Sequence, residues 1–512
     1  MNRRTRFVRD VLIMTAVSLF MRTVGVSFNS YISAKVGAEG MGLYTLVTSV
    51  YAFAITFATS GINLGVTRTV AEAMTSGRSV KKEFGSAVIY ALFFGTLALL
   101  VMFFGAEFIG TRLLCDVRTV RSIRVFAVSL PFIALSSTFN GYFCAVRRTW
   151  KNAAAMLFEQ AGKIYLCVAI LSVLMPKGIE YACLALVLGG ALAESASVLF
   201  AWLFYIFDRS RKINADRSSA GIKNLTAVAF PVALSAYFRS ALVSVEHMLI
   251  PRGLKKHGFS HEAALARYGV LQGMALPVVL FPAAFSTAFS GLLVPEMAQC
   301  AVEGDKNRLK RLSENAIYTV LIFAICACGI LISEAYALAD VLYKGTNAGD
   351  YIRVLALVVP IMYCDTVCDG ILKGIGEQVY AMKVNIIDAS LSTLLVYLLL
   401  PKYEIGGYVF VIILCEVINA SLSLWRVLEK TGARIDPFRA LLPPLISVFL
   451  STRAVQAISL RLVPLSAGAE LVFRICACVI LYALVLSAFS LVGKALGKIK
   501  GGKKILVKRG EM

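Results

Sequence analysis

The sequence predicts an all-α integral membrane protein with about 14 transmembrane helices. Its residues are 58% hydrophobic and 16% charged, and the mean hydropathy is +0.76. A soluble globular domain keeps about a quarter of its residues charged, so this composition excludes one. The runs 84–104, 186–207 and 471–492 are predominantly apolar. They reach the roughly 20 residues that a helix needs to cross about 30 Å of hydrocarbon, whereas barrel strands alternate apolar and polar residues.

The helices follow one another along the chain, separated by charged or Pro/Gly-rich breaks. We expect spans one to fourteen at 9–34, 42–67, 84–108, 122–146, 153–175, 180–207, 226–250, 268–295, 314–334, 351–376, 382–400, 405–428, 440–461 and 469–493.

The two halves of the chain resemble each other. Pro131 and Gly141 in span four recur as Pro360 and Gly370 in span ten, with the same spacing between proline and glycine. A second set of matches, at a slightly shorter offset along the chain, relates the segments around spans two and eight. Matches that keep order and membrane orientation predict two pseudo-symmetric six-helix lobes in parallel, followed by two C-terminal helices. The predicted domains are the N-terminal lobe 1–217, the C-terminal lobe 218–435, the helix pair 436–495 and a basic tail 496–512.

Lysine and arginine are concentrated in alternate loops, beginning with the N-terminal segment and ending with the tail. The positive-inside rule therefore predicts that both termini are cytoplasmic. The net charge of +22 is spread over these loops and is not gathered in one soluble domain. We therefore expect anionic membrane lipids as partners, and no nucleic acid.

The sequence predicts neither a metal, nor a cofactor, nor an enzyme. Most of the twelve cysteines fall within spans, as small buried apolar residues do, and only three histidines are present. No extramembrane domain is expected that would hold a catalytic site, and there is no glycine-rich phosphate loop with lysine and serine.

Charged and polar side chains within the spans mark the candidate substrate site, because such groups persist at bilayer depth when they pair or line a wet cavity. Span one places Arg22 and Asn29 on one polar face, span two adds Asn63, and span seven carries Arg239 and Glu246 seven residues apart. Guanidinium groups bind a diphosphate bidentately. Arg22 and Arg239 are alternatively structural ions paired between helices.

Further candidates lie in spans five, ten and eleven. Glu159, Gln160 and Lys163 complete the candidate substrate-binding set, although Glu159 and Lys163, four residues apart, also suit an intrahelical ion pair. The candidates for coupling to an ion are Asp365, Asp369 and Asp388. Asp369 and Lys373 are expected to neutralise each other. For Asp388, and for the single acids Glu194 and Glu416, protonation, ion coupling and plain pairing remain open.

Several motifs are similar to the stage V sporulation protein B group of polysaccharide transporters. That group belongs to the superfamily of multidrug and toxin extrusion transporters and lipid II flippases. The motifs are Gly40-Met-Gly-Leu-Tyr44, Glu159-Gln160, Ile250-Pro251-Arg252, Tyr268-Gly-Val-Leu-Gln-Gly-Met-Ala-Leu-Pro277, Phe281-Pro282 and Leu293-Val-Pro-Glu296. The resemblance covers essentially the whole chain. The group pattern usually carries arginine after Glu-Gln, whereas this chain has Lys163, which cannot bind bidentately.

The resemblance implies a monomeric alternating-access flippase. Its cargo would be a polyprenyl-diphosphate-linked glycan, such as a lipid II-like cell-wall precursor, moved from the inner to the outer leaflet of a bacterial cytoplasmic membrane. A cation-coupled multidrug exporter of the same fold is the alternative, although it would favour acidic residues where span one carries Arg22. A scaffold for cell-envelope assembly that transports nothing is an alternative of another class.

Overall fold

The computed structural model describes residues 3–76, 79–208, 221–459 and 466–509, and every regular segment within these ranges is helical. The all-α class is therefore confirmed. The helices are α1 (Arg3–Thr59), α2 (Ile62–Ser76), α3 (Val80–Phe108), α4 (Thr119–Ala145), α5 (Thr149–Leu174), α6 (Ile179–Ile206), α7 (Gly221–His257), α8 (His261–Tyr268), α9 (Leu276–Leu280), α10 (Ala283–Glu303), α11 (Lys306–Ser333), α12 (Ala335–Leu342), α13 (Ala348–Ala356), α14 (Val359–Gly374), α15 (Gln378–Thr431), α16 (Pro437–Ser459) and α17 (Ala467–Arg509). Two π-helical segments, Ile109–Leu113 and Gly269–Ala275, follow α3 and α8. The predicted cytoplasmic loop around Arg217 lies outside the described residues.

Two long helices each contain a break between predicted spans. In α1 the break is at Gly37, with φ of 75°, where a residue without Cβ adopts the left-handed region at little cost. In α15 it is at Glu404, with φ of 55°. The breaks separate span one from span two and span eleven from span twelve at the predicted positions. Single residues therefore replace the loops expected there.

Within the described ranges, ten helices are long and apolar enough to cross a membrane, or eleven if α13 and α14, bent by 56°, count as one span. Two of the ten, Phe20–Met74 and Gln378–Thr431, contain the breaks just described, and α7 is not among them. The number fourteen stays a prediction. Predicted span eight is interrupted between α9 and α10, where Pro282 lacks the amide hydrogen that would continue the helix.

The chain divides into two compact units. Unit 1 comprises Met1–Pro277 and Met382–Cys415, and unit 2 comprises Val278–Ala381 and Glu416–Met512. Aromatic residues of α3, α4 and α6 fill the core of unit 1, among them Phe84, Tyr142 and Tyr205. The core of unit 2 joins α11, α16 and α17 through residues such as Ile325, Val448 and Tyr482. The predicted lobes 1–217 and 218–435 stay a prediction.

A helix crossing recurs in both units at the offsets found in the sequence. In unit 1, a Cβ on Gly141 of α4 would lie 3.0 Å from Cβ of Val66 on α2. In unit 2, a Cβ on Gly370 of α14 would collide with Ser290 on α10. Gly370 corresponds to Gly141 at the longer of the two offsets, and Ser290 corresponds to Val66 at the shorter one. Both pairs thus use glycine to bring corresponding helices close together.

The second part of α1 runs antiparallel to α7. Tyr237 Oη donates to Ser60 Oγ at 2.5 Å, and Ser244 Oγ donates to the carbonyl of Ser49 at 2.9 Å. Ser60, directly after the end of α1, thus contacts Tyr237, whereas Ser49, earlier in α1, contacts Ser244, which lies later in α7. If the chain crosses the membrane at every predicted span, spans two and seven must run in opposite directions, as they do here.

Candidate functional site

Polar side chains form two clusters among the apolar helices of unit 1. The Lys163 cluster comprises Tyr44 and Tyr51 of α1, Ser129 of α4, Glu159 and Lys163 of α5, and Glu194 and Ser197 of α6. The Glu246 cluster comprises Arg239 and Glu246 of α7, Gln272 of the π-helical segment, and Asp388, Ser392 and Tyr408 of α15. The two clusters bring together Glu159, Lys163, Arg239, Glu246 and Asp388 from the predicted site residues.

The Lys163 cluster is organised by a tyrosine of α1. Tyr51 Oη donates to Glu194 Oε2 at 2.7 Å and also contacts the hydroxyl of Ser129. Its ring stacks on Phe126 of α4, with ring centroids 3.7 Å apart. These contacts fix the tyrosine from two sides, so the Glu194 carboxylate is held in one position between α1 and α6.

Lys163 interacts electrostatically with several groups, among them Tyr44, Glu159 and Glu194. The close approach of α6 to α5 depends on Gly189, because a Cβ there would lie 2.7 Å from the backbone nitrogen of Cys167. With both carboxylates ionised, the cluster carries one excess negative charge. Lys163 therefore lies in a region of net negative charge, which disfavours an anionic headgroup beside it.

The Glu246 cluster brings together two carboxylates from different helices. Glu246 interacts with the hydroxyls of Ser392 and Tyr408 and electrostatically with Asp388. Gln272 Nε2 donates to Tyr408 Oη at 2.6 Å, so the π-helical segment orients that tyrosine. π-helical bulges often occur at functional sites, because the extra residue redirects a side chain. In this protein the π-helical segment carries Gln272, whose side chain contacts Tyr408.

The guanidinium of Arg239 interacts electrostatically with Asp388. Arg239 is exposed, while Asp388 Oδ1 is buried and accepts no hydrogen bond from the described residues. The structure thus places a predicted substrate-binding arginine within electrostatic range of a predicted coupling acid.

The candidates on α1 and α2 have different surroundings. Asn29 Nδ2 donates to the carbonyl of Gly273 at 2.5 Å, so its amide joins α1 to the π-helical segment. Asn63 is half-buried, and Gly141 packs against its backbone. Arg22 is half-buried and makes no hydrogen bond or ion pair with any residue that the structure describes. The same holds for Gln160.

Two predicted coupling acids lie in unit 2. Asn419 Nδ2 donates to Asp365 Oδ2 at 3.1 Å. Lys373 Nζ lies 3.5 Å from Asp369 Oδ2, so the predicted ion pair is confirmed. Among the described residues, no group of three or more histidine, cysteine or acidic side chains is arranged to hold a metal ion.

Several residues of the two clusters were not predicted as site residues from the sequence, among them Tyr44, Tyr51, Gln272, Ser392 and Tyr408. Glu194 was identified from the sequence as a single acid in an apolar span, but not as a site residue. The signal for the others is weak, because tyrosine and serine occur widely in membrane helices. Tyr44 and Gln272 lie within motifs similar to those of the transporter group, and this is the sequence signal that could have identified them.

Comparison with known proteins agrees with the fold and with the motifs. Residues 7–301, more than half of the chain, match the family described as polysaccharide biosynthesis protein, and residues 257–398 match MatE. The chain is 25% identical to stage V sporulation protein B of Bacillus subtilis (strain 168), over 78% of this chain and 79% of that protein. It is 21% identical to sporulation protein YkvU of the same organism, over 70% and 82%.

Solved structures show the same architecture. A lipid II flippase MurJ in an inward closed conformation superposes with a TM-score of 0.67 at 14% identity, covering 93% of this chain and 98% of that one. An inward-facing multidrug resistance MATE family transporter superposes with a TM-score of 0.60 at 14% identity, covering 82% and 98%. The fold is thus that of multi-pass membrane transporters and flippases.

Proposed function

Because the chain belongs to the polysaccharide biosynthesis protein family, we propose that it is an alternating-access flippase for a lipid-linked cell-wall or polysaccharide precursor. The cargo is a polyprenyl-diphosphate-linked glycan, carried from the inner to the outer leaflet of a bacterial cytoplasmic membrane. Both termini lie in the cytoplasm, and the transporter works as a monomer. The names of the similar proteins, a sporulation protein and a lipid II flippase, support this class of cargo.

One observation carries the choice of an anionic cargo. Arg22 and Arg239 lie on helices of unit 1. Among the described residues neither guanidinium is in direct contact with an acid, although Arg239 interacts electrostatically with Asp388. An arginine at membrane depth costs about 2.5 to 3.5 kcal/mol on insertion scales unless an anion or water compensates it. A diphosphate supplies that compensation, because its oxygens accept two parallel hydrogen bonds from one guanidinium.

The other polar groups have separate roles in the proposal. Asp388 and Glu246 exchange a proton or a small cation, and Arg239, beside Asp388, connects that exchange to the headgroup. Asp365 and Asp369 are the further coupling candidates in unit 2. Glu159, Gln160 and Lys163 lie on α5 along the path of the glycan, where polar groups bind sugar hydroxyls without a free positive charge.

The test is flipping of a lipid-linked precursor in proteoliposomes by Arg22→Ala and Arg239→Ala variants. Losing one charged hydrogen-bonding group costs about 1.5 to 3 kcal/mol, which corresponds to a fall in cargo affinity of roughly 10- to 150-fold. Arg22→Lys is the informative companion, since it keeps the charge and loses the bidentate geometry. It is expected to retain part of the activity.

Arg453→Ala on α16 is the matched control, because that arginine stacks over Phe449, with 5.4 Å from the guanidinium carbon to the ring centroid. It should flip at the wild-type rate. Wild-type flipping by both Arg22→Ala and Arg239→Ala would refute the headgroup site, and absence of any flipping by the wild-type protein would refute the function.

The acidic pair Glu246 and Asp388 favours a second candidate, a cation-coupled multidrug exporter of the same fold. Export of organic cations that depends on these acids, with no flipping of lipid-linked precursors, would select it. A scaffold that transports nothing would show neither activity.

A further inference from the structure

An ion network joins three chain segments that the sequence places on the outer side of the membrane. The first is the break of α1, with Glu39 two residues after Gly37. The second is the turn between α3 and α4, with Asp116 and Arg118. The third is the first residue of α8, His261. All three segments lie in unit 1. Glu39, Asp116 and Arg118 belong to the predicted N-terminal lobe, and His261 to the predicted C-terminal lobe.

Asp116 is the centre of this network. Its carboxylate accepts hydrogen bonds from Arg118 Nη2 at 2.8 Å, from Arg118 Nε at 3.0 Å and from the Arg118 amide at 2.9 Å. His261 Nε2 lies 2.8 Å from Asp116 Oδ2. The side chain of Asp116 is only 4% exposed. Its charge is therefore satisfied from the turn and from α8 at once.

Arg118 extends the network to α1. Its Nη1 donates to Glu39 Oε1 at 2.8 Å, so one guanidinium binds two carboxylates on different segments. A second contact lies nearby, where Arg252 at the end of α7 donates to the carbonyl of Arg112 in the first π-helical segment. The contacts of His261 with Asp116 and of Arg252 with Arg112 connect the segment between α3 and α4 with helices of the predicted C-terminal lobe.

We propose that Glu39, Asp116, Arg118 and His261 form an outer gate, which holds the outer ends of the two predicted lobes together in the conformation described here. The proposal rests on the alternating-access function proposed above. Breaking a buried ion pair leaves an uncompensated charge, so the network has two discrete states, joined or separated, and few intermediate ones. An ion network of this kind makes outward opening a distinct step. Outward opening requires the bond from His261 to Asp116, the contact of this network that crosses between the predicted lobes, to be exchanged for water.

The experiment measures the distance between spin labels at Lys35→Cys on α1 and Glu262→Cys on α8. Both positions are exposed. The exposed cysteines Cys115 and Cys476 are first replaced by serine. Asp116→Asn removes the central charge and should raise the ratio of open to joined molecules at least tenfold, a change of about 1.4 kcal/mol. His261→Ala removes the partner of Asp116 on α8 and should act in the same direction.

Arg121→Gln is the matched control. Arg121 lies three residues after Arg118 and pairs with Glu180 at 3.3 Å, but its side chain is 58% exposed. An exposed pair contributes little, so this variant should keep the wild-type distances. If Asp116→Asn does not fold, His261→Ala decides the question alone.

Wild-type distance distributions in the folded Asp116→Asn or His261→Ala variant would overturn the gate. The measurement needs no cargo, so it separates the two proposals. If the variants open but the wild-type protein flips no lipid, the gate proposal is supported and the flippase proposal is refuted. If the wild-type protein flips lipid but the spin-label distances in the variants are unchanged, the flippase proposal is supported and the gate proposal is refuted.

Discussion

Replacing Gly42 by alanine tests whether two glycine motifs interlock as the structure describes. The motif around Gly42 on α1 packs against α8 and the π-helical segment that follows it. A Cβ on Gly42 would collide with the carbonyl oxygen of Leu265, and a Cβ on Gly269 would collide with the carbonyl oxygen of Ala38. Both obstacles are backbone atoms, which cannot rotate away as the end of a side chain can. We therefore expect Gly42→Ala to separate α1 from α8.

The expected cost follows from two opposing terms. Overpacking a well-packed contact costs about 1 to 3 kcal/mol. Alanine in place of glycine in a helix returns up to about 1 kcal/mol. The balance for Gly42→Ala is a loss of stability of up to about 2 kcal/mol. Gly25→Ala on the same helix is the matched control, because nothing lies within 4 Å of its new Cβ. It should leave stability unchanged or raise it.

Thermal unfolding in detergent, followed by the reaction of buried cysteines such as Cys167 and Cys183 with a thiol-reactive dye, measures the difference. Gly42→Ala should unfold at a lower temperature than the wild type, and Gly25→Ala should not. The double variant Gly42→Ala/Gly269→Ala should lose less than the sum of the single losses, because both methyl groups force apart the same contact. A midpoint for Gly42→Ala at or above that of Gly25→Ala would refute the interlock.

Two further predictions concern the outer gate and the topology. Burial by itself would raise the pKa of Asp116, but the hydrogen bonds from Arg118 and His261 outweigh it and hold the pKa below the usual value of 3.8. The gate should therefore stay joined above about pH 4 and open as the pH falls below that value, as the spin-label distance would show. Asp116→Asn should abolish this dependence. A thiol at Lys256→Cys should react with an impermeant maleimide from outside the cell, and one at Lys306→Cys only after lysis; the opposite pattern would refute the predicted orientation.

The positions of the spans were largely predictable, because apolar runs bounded by charges leave few choices in a bilayer. Even the separations at Gly37 and Glu404 were placed correctly, although they are single-residue breaks and not loops. The interruption before Pro282 was not expected, since membrane helices tolerate proline when neighbouring groups satisfy the freed carbonyl. Whether this proline breaks or merely bends a helix depends on packing that the local sequence does not contain.

The candidate site was predictable only in part. Arg22, Arg239 and Glu246 stood out because a charge in an apolar span is costly wherever it lies. The partners of a charge are harder to predict, since Tyr51 and Glu194 are far apart in the sequence and their contact depends on the crossing of α1 and α6. The outer network was missed for a related reason. Asp116 lies in a short turn, where an acid normally faces water and carries no signal.

The helix crossing shared by the two units bears on how such a chain arose. Gly141 meets α2, and Gly370 meets α10, at positions that correspond along the sequence. An ancestral half-length chain with this crossing would have six spans, an even number, so that a copy fused behind it enters the membrane in the same orientation. Gene duplication followed by fusion then yields two halves in one polypeptide, each free to diverge. At the longer of the two offsets Glu159 of α5 corresponds to Asp388 of α15, a pair of positions at which both predicted halves keep an acid.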